Sequence, residues 1–232
     1  MGDLGAELRM GELHMFASGP GVGKSVLALW IAWKLKLPTL YISADTSAHT
    51  QGVRLACMLT GETVAAVDKM MQVEPTFYNE RIQAEAGHIF WDWNTSPDIN
   101  DIRAQIESFA AVIGDYPHLV IVDNLRNIYS EEADTQAMQH ACESLKTIAA
   151  ETGSAVLVMH HVVGQYEDGV TPVPLSGLEQ KVGKAPALVV TFSYGKLGDL
   201  RAAIVKSRYS AANAAGHLRT FIPFNTSIMR VG

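Results

Sequence analysis

Apolar residues follow two different periods along the chain. Short, largely apolar runs such as Leu13–Ala17 and Leu119–Val122 are typical of buried strands. Between such runs, apolar residues recur every three or four positions, as at Val26, Trp30 and Trp33, which is typical of helices. The alternation of the two patterns predicts an α/β fold, in which a mostly parallel sheet is covered by helices on both faces.

The same patterns predict the remaining elements. Strands are predicted at Thr39–Ala44, His88–Trp91, Ala155–Met159, Ala187–Phe192, Leu200–Lys206, Leu218–Pro223 and Ser227–Val231, the last four largely as antiparallel hairpins. Helices are predicted from Val26 until Pro38 stops the first one, at Ala48–Leu59, within Glu62–Gly87, from a Ser96-Pro97 cap to Gly114, and from Asp134 to Thr152. Val163–Gly177 predicts a long loop. Because no repeat or linker interrupts the chain, we expect residues 1–232 to form a single domain.

Composition and charge restrict the classes of protein that the chain can belong to. Hydrophobic residues make up 48% and charged residues 18%, enough for a sizeable core. No apolar run approaches the roughly 20 residues that span a bilayer, so we expect no membrane partner. Two cysteines, Cys57 and Cys142, form neither a disulfide framework nor a metal motif, which favours a cytoplasmic location. A net charge of −6 argues against a protein that coats nucleic acid over its whole surface, but it leaves room for a local basic groove.

The strongest motif lies between the first predicted strand and the first predicted helix. It satisfies the phosphate-loop pattern G-x-x-x-x-G-K-[ST] except at its first position, and it consists of Ser18, Gly19, Pro20, Gly21, Val22, Gly23, Lys24 and Ser25. Its glycines let successive backbone N–H groups turn towards a phosphate. We expect these residues to bind ATP, with Lys24 at the β- and γ-phosphates and the Ser25 hydroxyl on Mg²⁺. The alternative is a glycine-rich turn without a ligand.

Three more polar residues follow strands of the same predicted sheet, where ligands bind outside the carboxyl ends of parallel strands. Asp123 is expected beside the phosphate loop, where it would hold Mg²⁺ directly or through water. Asp45 would face the same crevice and orient or deprotonate the attacking water. His161 would contact the γ-phosphate. The alternatives are a helix cap or turn for either aspartate and, for His160-His161, one buried and one exposed histidine.

Several segments, taken in order, resemble one family. The lead-in A-E-L-R-M-G-E-L is similar to that of RecA-type ATPases, and S-A-D-T-S-A-H-T-Q-G-V-R, from Ser43 to Arg54, resembles the segment with the catalytic glutamate of DnaB-type replicative helicases. V-I-V-D-N and V-M-H-H-V resemble their Mg-binding and sensor strands, and S-G-L-E-Q the segment after their DNA-binding loop. I-V-K-S-R-Y resembles a strand whose arginine reaches the ATP of a neighbouring subunit. The match covers nearly the whole chain and is closest to phage-type hexameric helicases.

The resemblance implies a RecA-like fold and a role for each matching residue. It makes Asp45 the catalytic carboxylate and Asp123 the Mg-linked acid, with Lys24 on the phosphates and His161 as the sensor. Lys206 and Arg208 would complete the site of a partner in a homo-oligomeric ring or filament that acts on single-stranded nucleic acid, expected to be DNA. The alternative for Lys206 and Arg208 is a solvated pair on one face of an edge strand.

Three departures from the family pattern bear on function. Asp45 stands where the family has glutamate, so its carboxylate is one methylene shorter and hydrolysis is expected to be slow. The loop Val163–Gly177 carries Glu167 and Asp168 but no Lys or Arg, and only Lys181 and Lys184 follow. The chain begins a few residues before its first predicted strand, so the expectation from the sequence as given is a chain that lacks the N-terminal domain and linker helix of such helicases.

Three functions therefore stay open. The first is an ATP-driven motor on single-stranded nucleic acid, favoured by the family match and the K-S-R strand. The second is a recombination or assembly factor in which ATP binding switches the oligomeric state, favoured by the three departures. The third is a nucleotide-binding subunit without turnover.

Overall fold

An eight-stranded sheet organises the chain, of which the computed structural model describes residues 5–132, 134–195 and 199–232. The strands are β1 (Leu13–Ala17), β2 (Thr39–Ser43), β3 (Ile89–Asp92), β4 (Leu119–Asp123), β5 (Ala155–His160), β6 (Leu188–Tyr194), β7 (Leu200–Ser207), β8 (Thr220–Ile222), β9 (Phe224–Asn225) and β10 (Arg230–Val231). In the order β3-β2-β4-β5-β1-β6 neighbouring strands are parallel, and β7 and β8 extend the sheet antiparallel. Strands β9 and β10 pair separately. The predicted RecA-like α/β fold with C-terminal antiparallel strands is confirmed.

Helices cover both faces of this sheet. They are α1 (Lys24–Leu35), α2 (Ala48–Thr60), α3 (Val64–Val73), α4 (Asn79–Ala86), α5 (Ile99–Ile113) and α6 (Asp134–Thr152). Helices α5 and α6 pack on one face, where Ile106 and Leu145 join Val120 in a buried cluster. Helix α1 packs on the other face, where Leu27 meets Phe16. Within the residues that the structure describes, no helix is long and apolar enough to cross a bilayer.

Two helix boundaries differ from the prediction for local reasons. Ser96-Pro97 does not cap α5, because Asp98 does: its carboxylate accepts from the Asp101 N–H at 2.8 Å, and the Asp101 carboxylate accepts from the Asp98 N–H at 3.1 Å. This reciprocal capping box satisfies two free backbone donors. Helix α1 ends at Leu35 rather than at Pro38, because Lys36 already has left-handed backbone angles (φ 55°).

Two other segments also differ from the prediction. Glu62–Gly87 contains two helices, α3 and α4, instead of one poorly patterned segment. The predicted strand Ser227–Val231 is wrong except at its last two residues. The Asn225 side chain accepts from the backbone N–H of Ser227 at 3.1 Å and from its hydroxyl at 2.7 Å, so the chain turns here before β10 pairs with β9.

Candidate functional site

The loop that joins β1 to α1 is organised around a buried lysine. Gly21 and Gly23 adopt positive φ angles of 71° and 107°, which a side chain would strain. Lys24 is 8% exposed, and its ammonium donates to the carbonyl of Ser18 at 2.9 Å, the hydroxyl of Ser18 at 3.1 Å and the carbonyl of Gly19 at 3.2 Å. Ser18, the departure from the loop pattern, thus supplies an extra acceptor for the lysine.

Two carboxylates act on this lysine. Burial lowers the pKa of Lys24 to about 8, while the charges of Asp123 and Asp45 oppose the shift. The ammonium therefore stays mostly protonated near neutral pH and supplies a positive charge inside the loop. A buried cation at the start of a helix is suited to binding phosphate.

Asp123 is the last residue of β4, and β5 lies between β4 and the phosphate-loop strand β1. Despite this separation the Asp123 carboxylate accepts from Tyr41 Oη at 3.1 Å, and the Ser25 hydroxyl lines the same cavity. Burial raises the pKa of Asp123, and the Ser25 and Tyr41 hydroxyls oppose that shift. Ser25 and Asp123 thus form a pair of hard oxygen ligands.

The oxygen pair of Ser25 and Asp123 fits Mg²⁺ rather than a metal held by protein alone. Among the described residues, no group of three His, Cys, Asp or Glu side chains could hold a metal ion. Mg²⁺ commonly binds through one or two protein oxygens together with substrate phosphates and water. The pair beside Lys24 meets that requirement.

Asp45 is exposed and lines the same cavity, two residues after the end of β2. Its backbone N–H donates to the carbonyl of Asp123 at 3.1 Å, which ties the two acid-bearing loops together. Arg54, from the second turn of α2, lines the cavity as well, and its charge lowers the pKa of Asp123. Gln51 accepts from Arg54 at 3.3 Å and donates to the Ser43 hydroxyl at 3.2 Å. The crevice therefore contains a second cation besides Lys24.

His161 directly follows β5 and pairs with Asn124, which directly follows β4. The Asn124 amide oxygen accepts from the Arg126 N–H at 2.9 Å, so its NH₂ group faces His161 Nε2 at 3.2 Å. The ring proton then lies on Nδ1. Burial lowers the pKa of His161, as does the charge of Lys24. His160, in contrast, is fully buried and bonds the Glu179 carbonyl at 2.9 Å.

The cavity that these groups share has a volume of about 350 Å³. A further wall consists of Tyr194, the last residue of β6, and of three residues from the C-terminal segment, Phe224, Thr226 and Met229. The Phe224 ring lies so close to the phosphate loop that a Cβ on Gly23 would be 2.9 Å from Cε1. Polar phosphate-binding groups on one wall and aromatic or apolar side chains on the other are suited to the two ends of a nucleotide.

Lys206 and Arg208 lie at the opposite edge of the sheet. Arg208, one residue beyond β7, donates its N–H to the carbonyl of Ala187 at the amino end of β6, and its guanidinium contacts Glu12 at 3.5 Å. The five residues of β1 span about 16 Å, so Arg208 cannot reach the phosphate loop of its own chain. Lys206 donates to the carbonyls of Gly183, at 2.9 Å, and Lys184.

The structure thus brings together Lys24, Ser25, Asp45, Asp123 and His161 and leaves Lys206 and Arg208 apart. Arg54, Tyr41, Asn124 and the aromatic wall also contribute to the site, and the sequence patterns did not predict them. Arg54 had a usable signal, because it lies seven residues after the cap Ser47, on the helix that begins beside Asp45. The C-terminal wall had none, since its place beside Gly23 depends on long-range packing.

Comparison with known proteins identifies the relatives of the chain. A family model described as an AAA domain matches residues 4–164. The Gene 65 protein of Mycobacterium phage D29 is 30% identical over 228 residues (94% of this chain and 97% of that protein), and that of phage L5 is 31% identical over 191 residues (81% and 71%). The DNA repair protein RadA of Synechocystis is 31% identical over 131 residues, which are 54% of this chain and 23% of RadA.

Solved structures share the fold at low sequence identity. A structure described as an ATPase domain superposes with a TM-score of 0.78 at 13% identity, with 96% of this chain and 84% of that domain aligned. A DnaB-like replicative helicase, described with its interactions with primase, gives a TM-score of 0.80 at 13% identity, with 97% of this chain and 57% of the helicase aligned. The fold of the chain is therefore that of known ATPase structures.

Proposed function

The chain belongs to the AAA domain family and has the fold of RecA-like P-loop ATPases, and from this premise we propose that it hydrolyses Mg-ATP and couples hydrolysis to action on single-stranded nucleic acid, as a DnaB-like helicase or translocase. One observation carries the proposal. Lys24, Ser25, Asp45, Asp123 and His161 converge on one cavity at the carboxyl edge of the sheet.

The nucleotide lies with its phosphates along residues Ser18–Ser25 and its base towards Phe224 and Tyr194. The Lys24 ammonium leaves the carbonyls of the loop to pair with the β- and γ-phosphates, a charge-assisted contact stronger than the neutral ones that it replaces. Ser25 and Asp123 would hold Mg²⁺, which neutralises phosphate charge and orients the phosphates.

Asp45 is the group proposed to act on water. Its exposed position at the cavity rim gives it access to solvent, and it faces Lys24 across the crevice. The water oxygen forms a bond to the γ-phosphorus while the bond between that phosphorus and the oxygen of the leaving ADP breaks, and Asp45 accepts the water proton. His161, held by Asn124, detects the γ-phosphate through its Nδ1 proton.

Arg208 is proposed to complete the site of a neighbouring copy. It lies at the far edge of its own sheet and is 44% exposed in its side chain, so its guanidinium can leave Glu12 for a partner's nucleotide. Lys206 would have to leave two carbonyl oxygens to take part, so the role in trans rests first on Arg208. This arrangement requires a homo-oligomeric ring or filament.

The test is ATP binding and turnover in wild type, Lys24→Ala and the matched control Lys34→Ala on the same helix. Mg-ATP should raise the melting temperature of wild type and the control but not of Lys24→Ala, because binding to the folded state alone stabilises it. Turnover should rise when a single-stranded DNA oligonucleotide is added. If ATP stabilises Lys24→Ala as much as wild type, the phosphate site is assigned wrongly. If the rate of hydrolysis is the same with and without DNA, hydrolysis is not coupled to single-stranded DNA.

The second candidate is an ATP-switched recombination or assembly factor of RecA-like type that does not unwind. It is favoured by the short carboxylate of Asp45, by the acids Glu167 and Asp168 in the loop at residues 163–177, and by the similarity to the DNA repair protein RadA. For such a factor, the mass of the oligomer would change when ATP is added. Its ATP turnover would stay slow, and it would show no strand-separating activity.

A further inference from the structure

A second polar cavity, of about 330 Å³, lies away from the nucleotide crevice between α6 and the segment Glu179–Lys184. We call it the basic pocket. The side chains of Lys181 and Lys184 line it together with Gln139, His140 and Glu143, and both lysines are exposed. Lys146 contributes another cation beside it, paired with Glu143 at 2.9 Å. Three lysines therefore lie in or beside a pocket that contains one carboxylate, Glu143, in a chain whose net charge is −6.

The backbone that carries these lysines is strained and held in place. Gln180 and Lys181 both have left-handed backbone angles, with φ of 54° and 53°, although neither is glycine. Such conformations persist where surrounding contacts impose them, and they cluster at functional sites. Here Gln139 donates to the carbonyl of Gln180 at 3.4 Å, and Thr135 donates to the side-chain oxygen of Gln180.

A third contact fixes the far end of the same segment. The Lys206 ammonium, from β7, bonds the carbonyls of Gly183, at 2.9 Å, and Lys184. The side chain of Lys206 is therefore engaged in holding the segment, and those of Lys181 and Lys184 line the pocket. Two lysines on a rigid, anchored backbone lose less conformational freedom on binding than lysines on a free loop.

We propose that the basic pocket binds the phosphate backbone of single-stranded nucleic acid through Lys181 and Lys184. The inference rests on the proposed function, because it names where that function's polymer is held. The loop at residues 163–177 has no Lys or Arg and carries Glu167 and Asp168, so its charge repels phosphate. The nearest cations along the chain after that loop are the two that the basic pocket presents.

The chemistry of the pocket points to backbone contacts rather than to base recognition. Lysine binds phosphate as a point charge, and contacts to phosphate carry no sequence information. Stacking of bases needs aromatic side chains, and the side chains that line the pocket include no Phe, Tyr or Trp among the residues described. The binding is expected to depend on salt and to be indifferent to sequence.

The experiment compares Lys181→Ala/Lys184→Ala with the control Lys34→Ala/Lys69→Ala, which removes the same charge from exposed positions on α1 and α3. Affinity for a fluorescent dT oligonucleotide is measured with Mg-ATP over a series of salt concentrations. Each lost phosphate contact on a single strand removes about 0.7 from the slope of log K against log salt, so two remove about 1.4. At about 0.1 M salt this is roughly a 25-fold loss of affinity.

The outcomes separate the inference from the function on which it rests. Basal ATP turnover without DNA and the melting temperature should match the control, because neither lysine lines the nucleotide crevice. If wild type binds DNA and the pocket variant keeps the affinity and the slope of the control, the basic pocket is not the contact and the proposed function stands. If wild type does not bind the oligonucleotide at all, both the basic pocket as a nucleic-acid contact and the proposed action on single-stranded DNA are wrong. ATP turnover then still tests the nucleotide site independently.

Discussion

The charged residues of the nucleotide crevice shift one another's pKa values. Lys24 is kept mostly protonated near neutral pH although it is buried, because Asp123 and Asp45 oppose the effect of burial on its pKa. Asp123 in turn accepts a hydrogen bond from Tyr41, and the Ser25 hydroxyl and the charge of Arg54 both lower its pKa. Substitution of any one of these groups is therefore expected to change the protonation of the others, and effects on activity will not add.

Asp45 offers the sharpest test at this scale. Asp45→Asn should leave ATP affinity nearly unchanged while turnover falls by at least on the order of 10²-fold, because a base that accepts the water proton is lost. Steady-state turnover and equilibrium ATP binding are the two measurements. Asp45→Glu should be faster than wild type if the reach of the short carboxylate limits hydrolysis.

A control for Asp45 is available in the same structure. Asp68, on α3, is an exposed carboxylate that pairs with His49 at 2.8 Å, so Asp68→Asn removes a charge outside the crevice. Its turnover should equal that of wild type. Undiminished hydrolysis in Asp45→Asn would show that another group activates water.

The residues of the site were only partly predictable from sequence. Lys24, Ser25, Asp45, Asp123 and His161 all lie at strand ends or in the phosphate loop, where topology alone brings them to one edge. Asn124 acts through side-chain geometry that no periodicity encodes, whereas Arg54 could have been found from its place on the helix that begins beside Asp45. Phe224 reaches Gly23 only because the C-terminal strands fold back over the phosphate loop, a contact between residues about 200 positions apart.

At the scale of elements, two central strands each bury a histidine. His14, in β1, is fully buried, accepts from the Arg9 N–H at 2.9 Å and bonds the carbonyl of Val156 at 3.2 Å. His160, in the neighbouring β5, bonds the carbonyl of Glu179. Burial lowers the pKa of each to about 4 from an ordinary 6.5. Both side chains are therefore neutral in the folded protein near neutral pH.

This burial predicts that the folded protein becomes less stable as the pH decreases. For each histidine the pKa in the folded state lies below that in the unfolded state. Its contribution to the free energy of unfolding is therefore fully present above about pH 6.5 and is lost as the pH falls towards 4. Each histidine should lower the free energy of unfolding by about 2 kcal/mol between pH 7 and pH 5. Urea unfolding across this range measures the loss. The double variant His14→Gln/His160→Gln should show a weaker dependence of the free energy of unfolding on pH, whereas the exposed control His217→Gln should behave like wild type. If the double variant and wild type lose stability equally between pH 7 and pH 5, the two buried histidines are not the cause.

The elements themselves were well predicted where periodicity was strong. Strand β1 and helix α6 have the predicted bounds, because a buried strand and a long amphipathic helix each give an unambiguous pattern. The errors concern side-chain caps and edges. Asp98 displaced Ser96 as a cap through a bond to Asp101, and the Asn225 side chain turned the chain where a strand was expected. Such local hydrogen bonds compete with regular structure without changing the apolar pattern.

At the scale of the whole molecule, the two edges of the sheet carry different chemistry. The carboxyl edge holds the phosphate loop and the acids, and the amino edge holds Arg208, which bonds Ala187 and contacts Glu12. A single copy cannot bring these edges together. Stacking of copies edge to edge, in a ring or filament, would place the arginine of one copy at the nucleotide of the next, and it would make turnover rise more than linearly with protein concentration.

The prediction that tests this arrangement uses two inactive variants. Arg208→Ala keeps an intact phosphate site but has no arginine for its neighbour, and Lys24→Ala keeps the arginine but binds no nucleotide. In a mixture, an Arg208→Ala site can receive the arginine of a Lys24→Ala neighbour, so hydrolysis should return in part. Arginines supplied across a subunit boundary raise rates by roughly 10³–10⁵ in comparable systems, so even a minority of mixed contacts should be measurable above either variant alone.

Two measurements make the result of the mixing experiment decisive. Mass under assay conditions shows whether mixed oligomers form, and ATP binding shows that Arg208→Ala retains its site. The matched control is Arg219→Ala, an exposed arginine beyond β7, which should keep the turnover of wild type on its own. If mixed oligomers form and no activity returns, Arg208 does not act on a neighbour's nucleotide. The placement of Arg208 at the amino edge of the sheet, a strand length of about 16 Å from the edge that carries its own phosphate loop, would then leave it without a part in hydrolysis, because a guanidinium stabilises a transferring phosphoryl group only by contact.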